Sequence, residues 1–433
     1  MNSFEPSSVS DAYHHKYAGK TLLIKVSGKT LLSEEMPILI QDIQSLAREG
    51  ICFIMVCGAG EQNTRSYREY LAQTGQEWTE PQRVGGRRVT DAQQLHHGVL
   101  PAHRDIQAMF RQLLPEAVIL EPQQLHCKHL SELGYVGDPQ SVDGLHAGGI
   151  VVVSSVGSDG QHLLNVNADD TARAIAEQES THLNEAIFVT ETGGVLQKGH
   201  VAPLLWKEDI AEDGQHAYID VTGGGGGMQK KLREARRILE RIEKVVINGV
   251  AGVRQELERI LGSGTLVAAR SSILCEKPPH DGADDAIFDV LYQRNVESGH
   301  FRQRSPEELQ ELKKYVHLLK VSNSVLGAFA LIPRGGSWME CATVCSDYNG
   351  SGVGDVIIRE AQKKAQQIYA FASTPESTAL FVRNGFGNLG CISALQKEHP
   401  AFFEYLPCVM RYDVRKRDPN FCTWHRESFA ARK

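Results

Sequence analysis

No apolar run approaching about 18 residues occurs in the 433-residue chain, so no helix able to cross a bilayer is expected. The start, Met-Asn-Ser-Phe-Glu-Pro, has neither a basic segment nor an apolar core, and no secretory signal is expected. A positive balance is also missing: 46 Lys and Arg against 53 Asp and Glu give a formal charge of -7. The most basic stretches, residues 230–237 and 415–417, read as a helix face and a tail, so a nucleic-acid partner is excluded. The nine cysteines, Cys52, Cys57, Cys275, Cys341 and Cys408 among them, show no disulfide framework and often sit in apolar runs. They predict reduced, buried thiols in a cytoplasmic protein. No metal centre is expected, because His126-Cys-Lys-His129 has no second cluster of complementary spacing.

What is present is glycine, 40 residues of it, placed where strands end or helices begin. The length exceeds what one hydrophobic core fills, so two domains are expected. After a polar arm (1–19), apolar runs at 21–26, 51–56, 150–155, 186–190, 244–247 and 264–269 read as buried strands, with helical spacing at 34–49, 169–179 and 228–242. Strand, loop, helix, strand and glycine in that order imply a parallel sheet with ligands above its strands' carboxyl ends. The breaker-rich stretch Cys275-Glu-Lys-Pro-Pro-His-Asp-Gly282 reads as the boundary between an α/β domain (20–272) and a smaller α+β domain (285–415), with 273–284 a linker and 416–433 a tail. In the second domain, strands at 317–321, 326–332 and 338–344 precede a glycine turn and a long helix.

The first domain carries a dispersed phosphate kit: Lys25-Val-Ser-Gly28, Cys57-Gly58-Ala-Gly60, Asn165-Val-Asn-Ala-Asp169 and Gly223–Gly227-Met-Gln-Lys-Lys231. Glycines after strands let backbone N–H groups reach phosphate oxygens. Lys25 at a strand end and Lys231 near a helix start would converge on one anion, with Asp169 holding both ammoniums. Arg88 suits a bidentate grip on a substrate carboxylate. The second domain carries Asn349-Gly350-Ser-Gly352-Val-Gly354 running into Asp355-Val-Ile-Ile-Arg-Glu-Ala, a cradle for a diphosphate at a helix N-terminus.

Through these motifs residues 20–270 resemble the amino-acid kinase family, and within it N-acetylglutamate kinases and the kinase-like half of N-acetylglutamate synthases. The resemblance implies that Lys25 and Lys231 stabilise a transferring phosphoryl group, that Asp169 orients them, that Gly28, Gly58 and Gly60 face nucleotide phosphates, and that Arg88 and Asn165 hold the acetylamino acid's carboxylate. It also implies ATP with Mg²⁺ there. Ser27 and Ala59 stand where the family favours glycine. Residues 284–415, through Met339-Glu-Cys-Ala342, Asp347-Tyr348, the glycine turn and Arg383-Asn-Gly-Phe386, resemble GNAT-type N-acetyltransferases, and the two-part order resembles bacterial N-acetylglutamate synthases. That implies acetyl-CoA bound at Asn349, Gly350, Gly352 and Gly354, Glu340 as general base, backbone N–H groups of 342–344 against the thioester carbonyl, and Thr374 as proton donor to the leaving thiolate.

The arginines that grip glutamate in those synthases are replaced by Thr374-Pro-Glu376 and Tyr405-Leu-Pro-Cys408, leaving Arg383 or Arg411 as substitutes. The leading expectation is an amino-acid N-acetyltransferase of arginine biosynthesis, homo-oligomeric, with arginine as an effector. An N-acetylglutamate kinase, alone or bifunctional, and a non-catalytic amino-acid sensor are the alternatives.

Overall fold

The computed structural model describes residues 16–145, 148–216, 227–258, 263–278, 280, 282–298, 301, 303–333, 338–346, 348, 350–372, 375–391 and 422–427. The chain forms two compact units that divide between Ser272 and Ile273.

The first unit is built on an eight-stranded sheet. Its strands are β1 (Thr21–Val26), β2 (Cys52–Cys57), β3 (Val118–Ile119), β4 (Ile150–Val153), β5 (Leu183–Val189), β6 (Leu204–Trp206), β7 (Lys244–Asn248) and β8 (Thr265–Ala268). In space they run β6-β8-β7-β5-β1-β2-β4-β3. Every pairing is parallel except β7 with β8. Parallel strands covered on both faces need continuous apolar sequence. β1 obliges, with all six of its residues buried. The sheet ends at one edge in the two-residue β3 and at the other in the three-residue β6.

Helices cover the sheet: α1 (Met36–Arg48), α2 (Gly60–Thr74), α3 (Leu100–Leu113), α4 (Ala168–Glu177), α5 (Gly227–Ile238) and α6 (Gly252–Glu258). α1 buries Met36, Leu39, Ile40, Ile43 and Leu46, one stripe of a 3.6-residue period. A further lobe departs from the expected pattern. Leu125–His129, Val136–Val142, Val156–Ser158 and Leu163–Val166 close into a small barrel.

The second unit holds α7 (Gly282–Glu297), α8 (Pro306–Lys313), α9 (Val353–Lys364) and α10 (Pro375–Arg383) around a seven-stranded sheet. Its strands are β9 (Leu274–Glu276), β10 (Val316–Val321), β11 (Ser324–Pro333), β12 (Trp338–Cys345), β13 (Gln367–Ala372), β14 (Gly387–Cys391) and β15 (Cys422–Glu427). Neighbours pair antiparallel except β12 with β13. Residues 274–276, read in sequence as part of a linker, are a strand of this sheet, antiparallel to β10. Pro278 follows that strand, so the break expected from sequence falls after it rather than before it.

Among the described residues no helix is long and apolar enough to cross a membrane. Cys57, Cys127, Cys341 and Cys345 are buried free thiols, and Cys52 and Cys275 are half-buried ones.

Candidate functional site

In the first unit β2 pairs with one edge of β1 and β5 with the other, so crossovers diverge at the carboxyl end of β1. A crevice opens at such a switch point. Lys25, Gly28, Gly58 and Gly60 line it from the sheet side, and Arg88, Asn165 and Asp169 line it from the other. Seven residues singled out in sequence thus face one cleft.

The two glycine loops touch. A Cβ on Gly28 would stand 2.7 Å from Gln62 Oε1, 3.0 Å from Gly60 N and 3.1 Å from Gly58 O, so no larger residue fits. Ser27 caps the short helix Gly28–Leu31, its Oγ accepting from Thr30 N–H at 3.1 Å. Ala59 is buried and, like Ser27, still lines the cleft.

Asn167 caps α4, its side-chain oxygen accepting from Asp169 N–H at 2.9 Å. That cap sets Asp169 in the helix's first turn, where the positive end of the helix dipole favours a carboxylate. Asp169 Oδ1 lies 2.6 Å from Lys25 Nζ, with both side chains buried. Burial pushes the Asp169 carboxyl up, but the Lys25 and Lys231 ammoniums outweigh it and hold the group at about 2. Burial pulls Lys25 down to about 8 against the opposing pull of Asp169, and the Lys231 charge adds to the lowering. Two cations and one carboxylate therefore meet here, leaving a net positive centre for an anion.

The pH dependence follows in sign. Asp169 contributes stability that is full above its ordinary 3.8 and lost as pH falls through about 2. Lys25 acts oppositely: the cost of its buried charge is present below about 8 and relieved as pH rises toward 10.5. Between pH 6 and pH 3 the native chain should lose about 1 kcal/mol more stability than Asp169→Asn in urea titrations. Equal losses would mean that the pair is not formed.

The wall opposite the sheet is the hairpin Arg83–Val84/Arg87–Arg88 together with the barrel strand carrying Asn165. Arg88 is half-buried, and burial followed by the neighbouring Arg83 charge lowers its pKa. Asn165 Nδ2 donates to Thr90 Oγ1 at 2.8 Å, which leaves the second N–H of that amide for a carboxylate.

In the second unit the parallel ladder of β12 and β13 ends at Cys341 opposite Ala370, while both strands run on. Past that point β12 stays paired to β11, with a register shift that leaves Ala342 unmatched, and β13 stays paired to β15. The parallel strands thus part in their pairing beyond Cys341 and Ala370. Glu340, buried, sits opposite Tyr369 one position before the parting. Gly350 (φ 78°) and Gly352 (φ 80°) hold the left-handed turn into α9, a conformation that favours glycine. Gly354 lies in the first turn of α9, with Leu380 of α10 close to its Cα.

Two candidates of this cluster, Asn349 and Thr374, lie outside the described residues, as do Gly223–Gly226, Asp347, Arg411 and the 405–408 segment. Arg383 corrects an expectation. Its guanidinium grips Asp355 in bidentate fashion, Nε–Oδ1 at 2.6 Å and NH2–Oδ2 at 2.9 Å, so it braces α10 against α9 instead of awaiting a substrate carboxylate.

The amino acid kinase family profile matches residues 20–248, more than half of the chain. The chain belongs to the amino acid kinase family. Its relatives in the family include the acetylglutamate kinase of Gloeobacter violaceus, 33% identical over 236 residues, 49% of this chain and 75% of the relative. That of Nautilia profundicola is 29% identical over 252 residues, 54% of this chain and 85% of the relative. Among solved structures, N-acetylglutamate synthase from Neisseria gonorrhoeae, complexed with coenzyme A and L-arginine, superposes with a TM-score of 0.62 at 19% identity. The match covers 99% of this chain and 100% of that one, which extends the shared fold beyond the family's own domain.

Around this cleft the fold adds residues that the sequence reading missed. Asp170, 1% exposed, takes Lys230 Nζ at 2.7 Å and Arg87 Nε at 2.8 Å. Arg87 also reaches Asp138 at 2.6 Å. The signal was the doublet Asp169-Asp170: Asp169 lines the cleft while Asp170 supports it, whereas Arg87 and Arg88 both line it and Lys231 acts on it by its charge on Lys25 and Asp169.

Proposed function

We propose that this chain is an N-acetylglutamate synthase-like amino-acid N-acetyltransferase of arginine biosynthesis. It would move acetyl from acetyl-CoA to the amine of glutamate or a close relative. The observation that carries this reading is the parting of β12 from β13 beside a glycine turn that opens a helix. Extended strand backbone, where pairing has ended, can accept an acyl-pantetheine arm, and Gly350, Gly352 and Gly354 would hold the diphosphate at the α9 N-terminus. The likeness in fold to a synthase along nearly the whole chain agrees with it. Glu340 would accept the proton of the acceptor's ammonium, so that a neutral amine attacks the thioester carbonyl carbon. Thr374 would return a proton to the departing thiolate. Boundaries of 20–272 for the kinase-like part and 285–415 for the transferase part belong to the same proposal.

The chain would act in the cytoplasm as a homo-oligomer, with arginine as effector, as the relative's complex with L-arginine suggests. With Arg383 committed to Asp355, glutamate's side-chain carboxylate needs another partner, which favours testing several acceptors. Incubation with acetyl-CoA and each amino acid, followed by free thiol, should give release with glutamate or a near neighbour. Background-level release with every acceptor would discard the proposal.

A second reading has its own observation, the Lys25–Asp169 pair with Lys231 nearby in a glycine-lined cleft. It is phosphorylation of N-acetylglutamate by ATP, whose phosphates would meet Gly28, Gly58, Gly60 and the two lysines. N-acetylglutamate-dependent ADP formation, abolished in Lys231→Ala, is its signature. Without ADP, this second reading falls and the first unit is a scaffold.

A further inference from the structure

We propose that His129, Asp159 and His162 form a divalent transition-metal site on the small barrel, with zinc the ion that best fits their two imidazoles and one carboxylate. His129 ends the strand Leu125–His129, and Asp159 and His162 flank the turn between Val156–Ser158 and Leu163–Val166. Barrel closure sets these ends side by side, since the first of these strands pairs with the second at His126 and Ser158.

Distances support the assignment. His129 Nδ1 and His162 Nδ1 stand 3.4 Å and 3.1 Å from the same oxygen, Asp159 Oδ2. Ligand atoms about 2.0–2.1 Å from a tetrahedral ion lie about 3.3 Å from one another. One ligand atom from each of the three residues falls within 4.8 Å of the other two.

The surroundings point the donors inward. His129 Nε2 lies 2.8 Å from the Gly134 carbonyl oxygen. A neutral ring donating that N–H carries its lone pair on Nδ1, facing Asp159, which is how histidine ligands are commonly held by a backbone carbonyl. Asp159 Oδ1 is occupied by the N–H groups of Gln161 and His162 at 2.8 Å and 2.6 Å, so Oδ2 is the atom left to the imidazoles. His162 Nδ1 lies within hydrogen-bond distance of the same Oδ2, so the three atoms are held together by a proton or by a cation lying among them. The Tyr135 ring flanks both imidazoles, its centroid 6.2 Å from His129 and 6.0 Å from His162. His126, the other histidine of the sequence cluster, is engaged elsewhere, 2.7 Å from Asp143.

Glu276, His280 and Asp284 make a second such group, but there Lys320 Nζ already lies 2.7 Å from Glu276 and 2.6 Å from Asp284. That group has its cation. The barrel group has only imidazoles. Its ligand His129 is tied through Gly134 to Thr90, which bonds Asn165 in the cleft, so metal binding would stiffen the wall that carries Asn165.

The test is a zinc titration of the full chain, stripped with chelator, against a chromophoric competitor, with cobalt as a spectroscopic substitute. One equivalent should bind, and cobalt should develop the visible absorption of a low-coordinate site. His162→Ala removes a partly exposed ligand and should weaken zinc at least about tenfold, since even outer-shell changes commonly cost 10–100-fold. His126→Ala should leave the affinity unchanged. Circular dichroism checks that both variants fold. Absence of saturable binding, equal affinity in His162→Ala, or loss only in Glu276→Gln would each overturn the assignment.

Discussion

Glu340→Gln is expected to lower the rate of acetyl transfer by roughly 10²–10⁴-fold, the usual share of a positioned general base, while leaving coenzyme A affinity within a few-fold. The change is nearly isosteric, and the glycine turn that would hold the diphosphate belongs to a different element, so binding and chemistry should separate. The argument rests on where Glu340 falls: buried in β12, one ladder position before β12 and β13 part. A carboxylate there can meet an amine approaching an acyl group laid into the opening. At pH values where the acceptor amine is already neutral, the variant should regain part of its rate, because no base is then needed. Single-turnover measurement of thiol release across pH reads both effects. An unchanged rate at neutral pH would remove Glu340 from the chemistry.

Lys244→Met should destabilise the first unit by about 3–5 kcal/mol, a large share of the 5–15 kcal/mol that typically separates native from unfolded chains. Lys244 is 0% exposed at the start of β7. It contacts Glu256 and lies 3.1 Å from Glu185, whose Oε2 also accepts from the Tyr17 hydroxyl at 3.1 Å. Removing the ammonium strands two buried carboxylates, whereas removing all three charges together would cost far less. Burial already pushes Glu185 up to about 7 in the native chain, against the opposing pull of Lys244. A raised carboxyl binds its proton more tightly in the folded state, so this group's contribution falls as pH climbs from about 4.5 to 7. The variant's deficit should therefore be larger at pH 8 than at pH 5. Urea midpoints at both values decide it, and a triple change with Glu185→Leu and Glu256→Gln should recover most of the loss.

Much of this architecture was legible in the sequence because parallel strands buried on both faces announce themselves. Val-Val-Val and Leu-Leu-Ile-Lys-Val runs have few other uses in a water-soluble fold. The barrel was not legible. Leu125–His129 alternates buried and exposed positions over five residues, too short and too polar to distinguish from a loop. The seven cleft residues were found because glycine after a strand and lysine beside it have a stated physical use. Which of Asp169 and Asp170 enters the cleft depends on helix phase, and sequence does not set that phase to one residue. His129 drew notice in sequence only as part of a half-cluster, since its partners, Asp159 and His162, sit in a turn 30 residues on, where spacing rules say nothing.

The shortness of β3 and β6 has a consequence for how the folded protein behaves when crowded. A neighbouring molecule adding itself to the sheet would find only two residues of open backbone at Val118–Ile119 and three at Leu204–Trp206. So short a template registers poorly, and the barrel offers no rim at all because its strands close on themselves. The aggregation-prone stretch, Thr21–Val26, lies sealed between two neighbours in the middle of the layer. Fibril formation by the first unit would then require global unfolding, and its lag time should track unfolding rate rather than concentration of native chains.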